Sequence, residues 1–224
     1  MIPEGCAVRR SFQEELSALQ QELLKMGAFV EQSIHDSVKS LATRDRKLAE
    51  KVIKDDDLAD QMQTEIENRS LELLALQQPM AKDLRVLGTA LKIVTDLERI
   101  ADHSVDIAKA TIRLGDEPLI KPLIDIPRMA ELSEQMIRNA LDAYVSWDTQ
   151  KALDLKQIDD TVDHLYSQVF RELLVYMMED HRTIHQATLL LMVAQHLERV
   201  ADHATNIAEW VIYMVTGERC DLNE

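Results

Sequence analysis

Two rows of acidic residues recur in this 224-residue chain at a fixed interval. Glu98, Asp102 and Asp106 stand four positions apart, and Glu198, Asp202 and Asn206 repeat that spacing 100 positions later. On an α-helix, positions four apart turn by about 40° and rise ~6 Å, so each row is a slowly winding line along one side. Upstream, Asp56, Asp57 and Asp60 form D-D-x-x-D, and so do Asp159, Asp160 and Asp163. Asp56 and Asp60 share a helix face, as do Asp159 and Asp163. Like charges at this spacing destabilise a helix by a few tenths of a kcal/mol. A hard or borderline cation removes the repulsion, and carboxylate oxygens serve such an ion well. One row cannot enclose a metal, so the D-D-x-x-D of the preceding helix is the expected second donor. Duplication copies structural residues as readily as ligands, however. Residue chemistry alone leaves a duplicated cation site and a solvated acidic face both open.

The rows sit inside a longer repeat. Residues 97–108 read LERIADHSVDIA and residues 197–208 read LERVADHATNIA. His103 and His203 fall away from the carboxylate rows and read as surface or interface histidines, not as ligands. No glutamate stands three positions before any histidine, which excludes a ferritin-like di-iron site built on Glu-x-x-His. Arg99 and Arg199 are expected to pair with nearby carboxylates, with anion binding as the other reading. Trp147 and Trp210 are expected to pack near helix ends.

The elements that must carry these residues are helical. The chain holds only 5 Gly, 5 Pro and 4% aromatic residues, and it is rich in helix formers. Ser11 and Glu14 read as a capping box. A first helix is expected to run from there to about Leu41, with Leu16, Leu19, Leu23, Met26, Val30, Ile34 and Leu41 as its apolar stripe. A second carries Leu48, Val52, Leu58, Met62, Ile66 and Leu73. A third, from about Asp83 to Leu114, carries Leu87, Ala90, Val94, Leu97, Ala101 and Ala108. One Gly and three Pro fall within residues 115–127, the densest cluster of breakers. The spacing then predicts helices over 128–147, 148–179 and 182–215, the last with Leu190, Ala194, Leu197, Ala201 and Ile212 as its apolar stripe. The expected fold is all-α: a first three-helix bundle over 1–116, a linker over 117–127, and a second bundle over 128–224.

Net charge is −15, which gives nucleic acid no basic surface to bind. Cys6 and Cys220 lie near opposite ends and form no disulfide framework. No apolar run approaches the length of a membrane span. A cytoplasmic protein with no membrane insertion is expected.

The paired LERIAD and LERVAD segments resemble the signature of the PhoU family of phosphate-transport accessory and signalling regulators. SFQEEL near the start, QQPMAKDLR at 77–85 and YMMEDHRTI at 176–184 are similar too. The resemblance runs from about Ser11 to Glu218. It implies two three-helix bundles, homodimers or higher oligomers, and no established enzymatic activity. It further implies an adaptor between the ATPase of a phosphate ABC transporter and a sensor histidine kinase, holding the starvation response off when phosphate is plentiful. It implies metal binding at the acidic motifs, with iron or zinc foremost and manganese or magnesium as further candidates. Carried onto this chain, the ligands are Glu98, Asp102 and Asp106 with Asp56 and Asp60, and Glu198, Asp202 and Asn206 with Asp159 and Asp163. The family commonly has Gly before the motif aspartate, where this chain has Ala101 and Ala201. Asn206 is uncharged, so the second site is expected to bind more weakly or to hold fewer ions.

Two other readings compete. An all-α diphosphate-handling enzyme would use the two D-D-x-x-D motifs on facing helices. A purely structural bundle would leave the acidic faces solvated.

Overall fold

The computed structural model describes residues 4–77 and 79–222. The order is α1 (Glu4–Thr43), α2 (Arg46–Gln77), α3 (Ala81–Leu114), α4 (Asp125–Ser146), α5 (Thr149–Leu153), α6 (Leu155–Glu179) and α7 (Ile184–Thr216). A 3-10 turn at His181–Thr183 precedes α7. Among the described residues there is no strand. Helices α1–α3 form one bundle and α4–α7 the other.

Most of the expected stripes are core. Leu19, Leu23, Met26, Val30, Ile34 and Leu41 of α1 are fully buried, as are Leu87, Ala90, Val94 and Leu97 of α3 and Leu190, Ala194, Leu197 and Ala201 of α7. Leu58 departs from its expected place. It is 45% exposed while its neighbour Ala59 is buried. Helix α2 thus turns a small residue to the core there.

Both halves start their second helix with the same device. Arg44 and Trp147 take left-handed torsions, φ 56° and 60°. The aspartate that follows each one caps the helix. Asp45 Oδ1 accepts from the Lys47 and Leu48 amides at 3.0 and 3.1 Å, and Asp148 Oδ1 accepts from those of Gln150 and Lys151, both at 3.0 Å. The same interval of 103 positions separates the two D-D-x-x-D motifs, so the devices and the motifs keep register.

Some boundaries differ from expectation. Helix α1 begins at Glu4, so Ser11 lies within it and is not an N-cap; its side chain lies outside the described residues. Helix α4 begins at Asp125, with Pro127 in its first turn, where a missing N–H costs nothing. The single helix expected over 148–179 is interrupted at Asp154, which keeps right-handed torsions of φ −66° and ψ −16° between α5 and α6.

The two bundles share one apolar core. Helix α3 packs on α7 and α1 on α4. Thr89 donates to the Trp210 carbonyl at 3.4 Å and Arg85 to that of Met214 at 3.3 Å. A Cβ on Gly27 of α1 would fall 2.1 Å from Leu141 Cδ1 of α4, so the glycine is what allows that close approach. The connection between bundles is pinned as well. Buried Gln186 of α7 donates to the Pro118 carbonyl at 3.1 Å and accepts from the Ile120 amide.

Candidate metal centres and the histidine seam

In the first half, α2 and α3 bring four carboxylates together. Glu98 lies in the field of Asp102, Asp60 and Asp56, and Asp56 in that of Asp102 and Asp60. Burial, reinforced by these like charges, raises the proton affinity of both Glu98 and Asp56. Arg99 relieves part of the repulsion. Its guanidinium stands 3.2 Å from Asp102 and 3.6 Å from Glu98, the pairing expected from the sequence.

The second half repeats the arrangement with α6 and α7. Glu198 lies in the field of Asp202, Asp163 and Asp159. Here burial goes further. Asp159 is 6% exposed. Burial, with Asp163 and Asp202 beside it, pushes its carboxyl up to about 6, against a partial offset from the Thr205 hydroxyl. Glu198 is likewise raised to about 6, by burial and then Asp202. Asp163 and Asp202 move in the same direction, chiefly by burial. Asp159 Oδ1 is buried with no hydrogen-bond partner. A buried carboxylate oxygen without a donor is a costly arrangement in the absence of a cation.

The third member of each row is engaged elsewhere. Asp106 receives Lys109 at 3.2 Å, and its other oxygen lies 4.0 Å from His196 Nε2. Asn206 donates to Asp96 at 3.4 Å across the α3–α7 contact. The expectation of a weaker second site takes Asn206 as a ligand, and in this structure the Asn206 amide nitrogen is turned toward Asp96.

His103 and His203 lie at the α3–α7 interface, one of the two places expected for them. They meet two residues that sequence reasoning passed over. His203 Nδ1 donates to Asp96 at 2.9 Å, and His103 Nδ1 lies 3.2 Å from His196 Nδ1. Burial, with His196, His203 and Arg199 nearby, lowers His103 to about 4, and burial lowers His196 as well. A signal for these contacts was present: Asp96 and His196 are themselves 100 positions apart, so the repeat register marks them as counterparts.

The two D-D-x-x-D motifs do not face one another. Among the described residues α2 and α6 make no contact, and each motif closes on the row of its own half. A single diphosphate cavity flanked by both motifs, as the enzyme reading requires, is not formed.

Comparison with known proteins agrees with this architecture. The family described as "PhoU domain" matches twice, over residues 23–111 and 126–211. The chain is 45% identical to the phosphate-specific transport system accessory protein PhoU homolog of Clostridium acetobutylicum, over 96% of this chain and 99% of that one. The crystal structure of PhoU from Pseudomonas aeruginosa superposes with a TM-score of 0.88 at 38% identity, covering 92% of this chain and all of that one. That of the phosphate transport system regulatory protein PhoU from Streptococcus pneumoniae gives 0.87 at 34% identity, covering 94% and 99%. No described helix is long and apolar enough to cross a membrane. With both halves matched and near-complete relatives well above the level at which a fold alone is shared, the chain belongs to the PhoU family.

Proposed function

We propose that this chain regulates phosphate uptake and phosphate-starvation signalling as a cytoplasmic, metal-binding adaptor without catalytic activity. The relative from Clostridium acetobutylicum is named an accessory protein of a phosphate-specific transport system, and that from Streptococcus pneumoniae a regulatory protein of phosphate transport. The partners proposed are the transporter ATPase and a sensor histidine kinase, engaged by a homodimer or higher oligomer. Signalling is restrained when phosphate is plentiful.

The observation that carries the metal part is Asp159 Oδ1, a buried carboxylate oxygen with no donor. It fits a cation held by Asp159, Asp163, Glu198 and Asp202, with Asp56, Asp60, Glu98 and Asp102 as the equivalent set in the first half. A bound ion would supply positive charge that ties α6 to α7 and α2 to α3. An all-oxygen donor set suits magnesium, manganese or iron. Regulation further requires two states with different partner contacts, whose balance the ion or a partner shifts.

The test is genetic and biochemical together. Deletion in the host is expected to leave phosphate-starvation genes on in rich phosphate, and wild-type protein to restore repression. Pull-down of the transporter ATPase and the kinase from the same cells is expected. Normal repression after deletion, with neither partner recovered, would sink the reading.

A further inference from the structure

The α3–α7 seam holds two small clusters related by the internal repeat. One contains His203, Asn206 and Asp96. The other contains His103, Asp106 and His196. Each position in one has its counterpart in the other 100 residues away, so the clusters differ only by two exchanges: Asp96 against His196, and Asn206 against Asp106.

Those exchanges change the chemistry. In the first cluster a carboxylate serves both side chains from α7. His203 Nδ1 and Asn206 Nδ2 both reach Asp96 Oδ1, at 2.9 and 3.4 Å. In the second, no carboxylate lies between the imidazoles. His103 Nδ1 and His196 Nδ1 face each other at 3.2 Å with ring centroids 5.3 Å apart, while Asp106 lies beside the other ring nitrogen of His196, 4.0 Å from Nε2.

We propose that His103, Asp106 and His196 form a site for a zinc-like transition-metal dication at the α3–α7 interface. One ligand atom from each of the three lies within 4.8 Å of the others. Two imidazoles and a carboxylate are a donor set that zinc uses with water as its fourth ligand. With zinc–nitrogen bonds of about 2.0–2.1 Å, the edge of a tetrahedron is roughly 3.3 Å, which the observed nitrogen–nitrogen separation matches. The Asp106 side chain is 43% exposed, so an ion enters from that side and water completes its shell. To ligate an ion between the two Nδ1 atoms, the Asp106 carboxylate must swing toward them from its place 4.0 Å from His196 Nε2. Lys109, 3.2 Å from Asp106, must be displaced, and Arg199 adds a further positive charge nearby; both lower the affinity. The ion would link the two bundles, whereas the carboxylate clusters each lie within one bundle. The proposal therefore stands or falls separately from theirs.

Cobalt(II) tests it, because a tetrahedral site with nitrogen ligands gives strong visible bands and an all-oxygen octahedral site gives weak ones. Chelator-stripped full-length protein is expected to take up one cobalt per chain with strong bands, and zinc to bleach them. His196→Gln and Asp106→Asn are expected to weaken that uptake at least about tenfold, since loss of even a ligand's supporting partner costs that much, with helicity unchanged. His203→Gln and Asp159→Asn are expected to retain the bands, and Lys109→Met to tighten binding. Asp106→Asn lies on the exposed side, so it remains informative if His196→Gln folds poorly. Absence of strong bands in the wild type would overturn the proposal, as would bands that persist in folded His196→Gln or Asp106→Asn.

Discussion

The two carboxylate clusters descend from one pattern but sit in different surroundings. The first keeps a cation within reach: Arg99 stands 3.2 Å from Asp102. The second buries its leading aspartate to 6% exposure and leaves one of its oxygens without a partner. Both share the same electrostatic conflict and both are partly relieved by protein, the first by the Arg99 ion pair and the second by Arg199 and the Thr205 hydroxyl. The more deeply buried cluster, with one oxygen left without a donor, gains more when a cation arrives at pH 7, because the ion supplies the missing partner and screens the repulsion. The account therefore ranks the second site above the first, the reverse of what Asn206 suggests when read as a ligand.

Asp159→Asn is expected to break the comparison most strongly. It removes the leading ligand and, in metal-free protein, a buried charge. With a folded-state value of about 6 against a usual value near 4, the charged form costs about 1–3 kcal/mol. Metal-free Asp159→Asn is therefore expected to melt several degrees above metal-free wild type at pH 7. The sign follows from proton linkage. The folded state holds this proton to higher pH than the unfolded chain does, so the penalty is full above about pH 6 and absent below about pH 4. The thermal advantage of the variant should vanish over that window. An advantage that persists at pH 4 would mean that packing, not charge, separates the two proteins.

The pH dependence of metal uptake sharpens the comparison further. Bound metal requires deprotonated carboxylates. Asp159 and Glu198, both pushed up to about 6, compete with protons as pH falls from 7 to 5. Manganese affinity of the second site should drop by about tenfold or more over that range, and that of the first site by less. Calorimetry on Glu98→Gln, which isolates the second site, and on Glu198→Gln, which isolates the first, would show it. Equal pH slopes would erase the distinction.

The smallest expected effect concerns Arg99. Arg99→Ala should tighten the first site a few-fold by freeing Asp102 and Glu98, since an exposed pair of this kind is worth only about 0.2–1 kcal/mol. Loss of affinity instead would make Arg99 a support of the site.

Much of this was legible in the sequence because it depends on periodicity. The stripes on α1, α3 and α7 follow helical spacing, and the core accepted them nearly position by position. The pairing of Asp56 and Asp60 with Glu98 and Asp102 was legible because one row cannot enclose an ion and the D-D-x-x-D lies on the preceding helix of the same bundle. What spacing could not reveal depends on packing across the duplication. Leu58 turns outward where α2 places Ala59 in the core. Asp106 and Asn206 share the rows' spacing, yet the winding of the row carries them toward α7 and α3. His196 carries no motif of its own, and it acquires its meaning only when α7 lies against His103. The 115–127 segment reads as a boundary, but the apolar core runs past it, because α3–α7 and α1–α4 packing is set by surfaces remote from the breakers.

The most direct measurement is the metal content of stripped and reloaded protein, counted by mass spectrometry for the wild type and Asp159→Asn under manganese, iron and magnesium. The account predicts more than one ion per wild-type chain and the loss of the tightest-bound ion in Asp159→Asn, with the remainder retained. Wild-type protein that takes up none of these ions, or a variant that matches it ion for ion, would contradict the account and leave the rows as solvated faces.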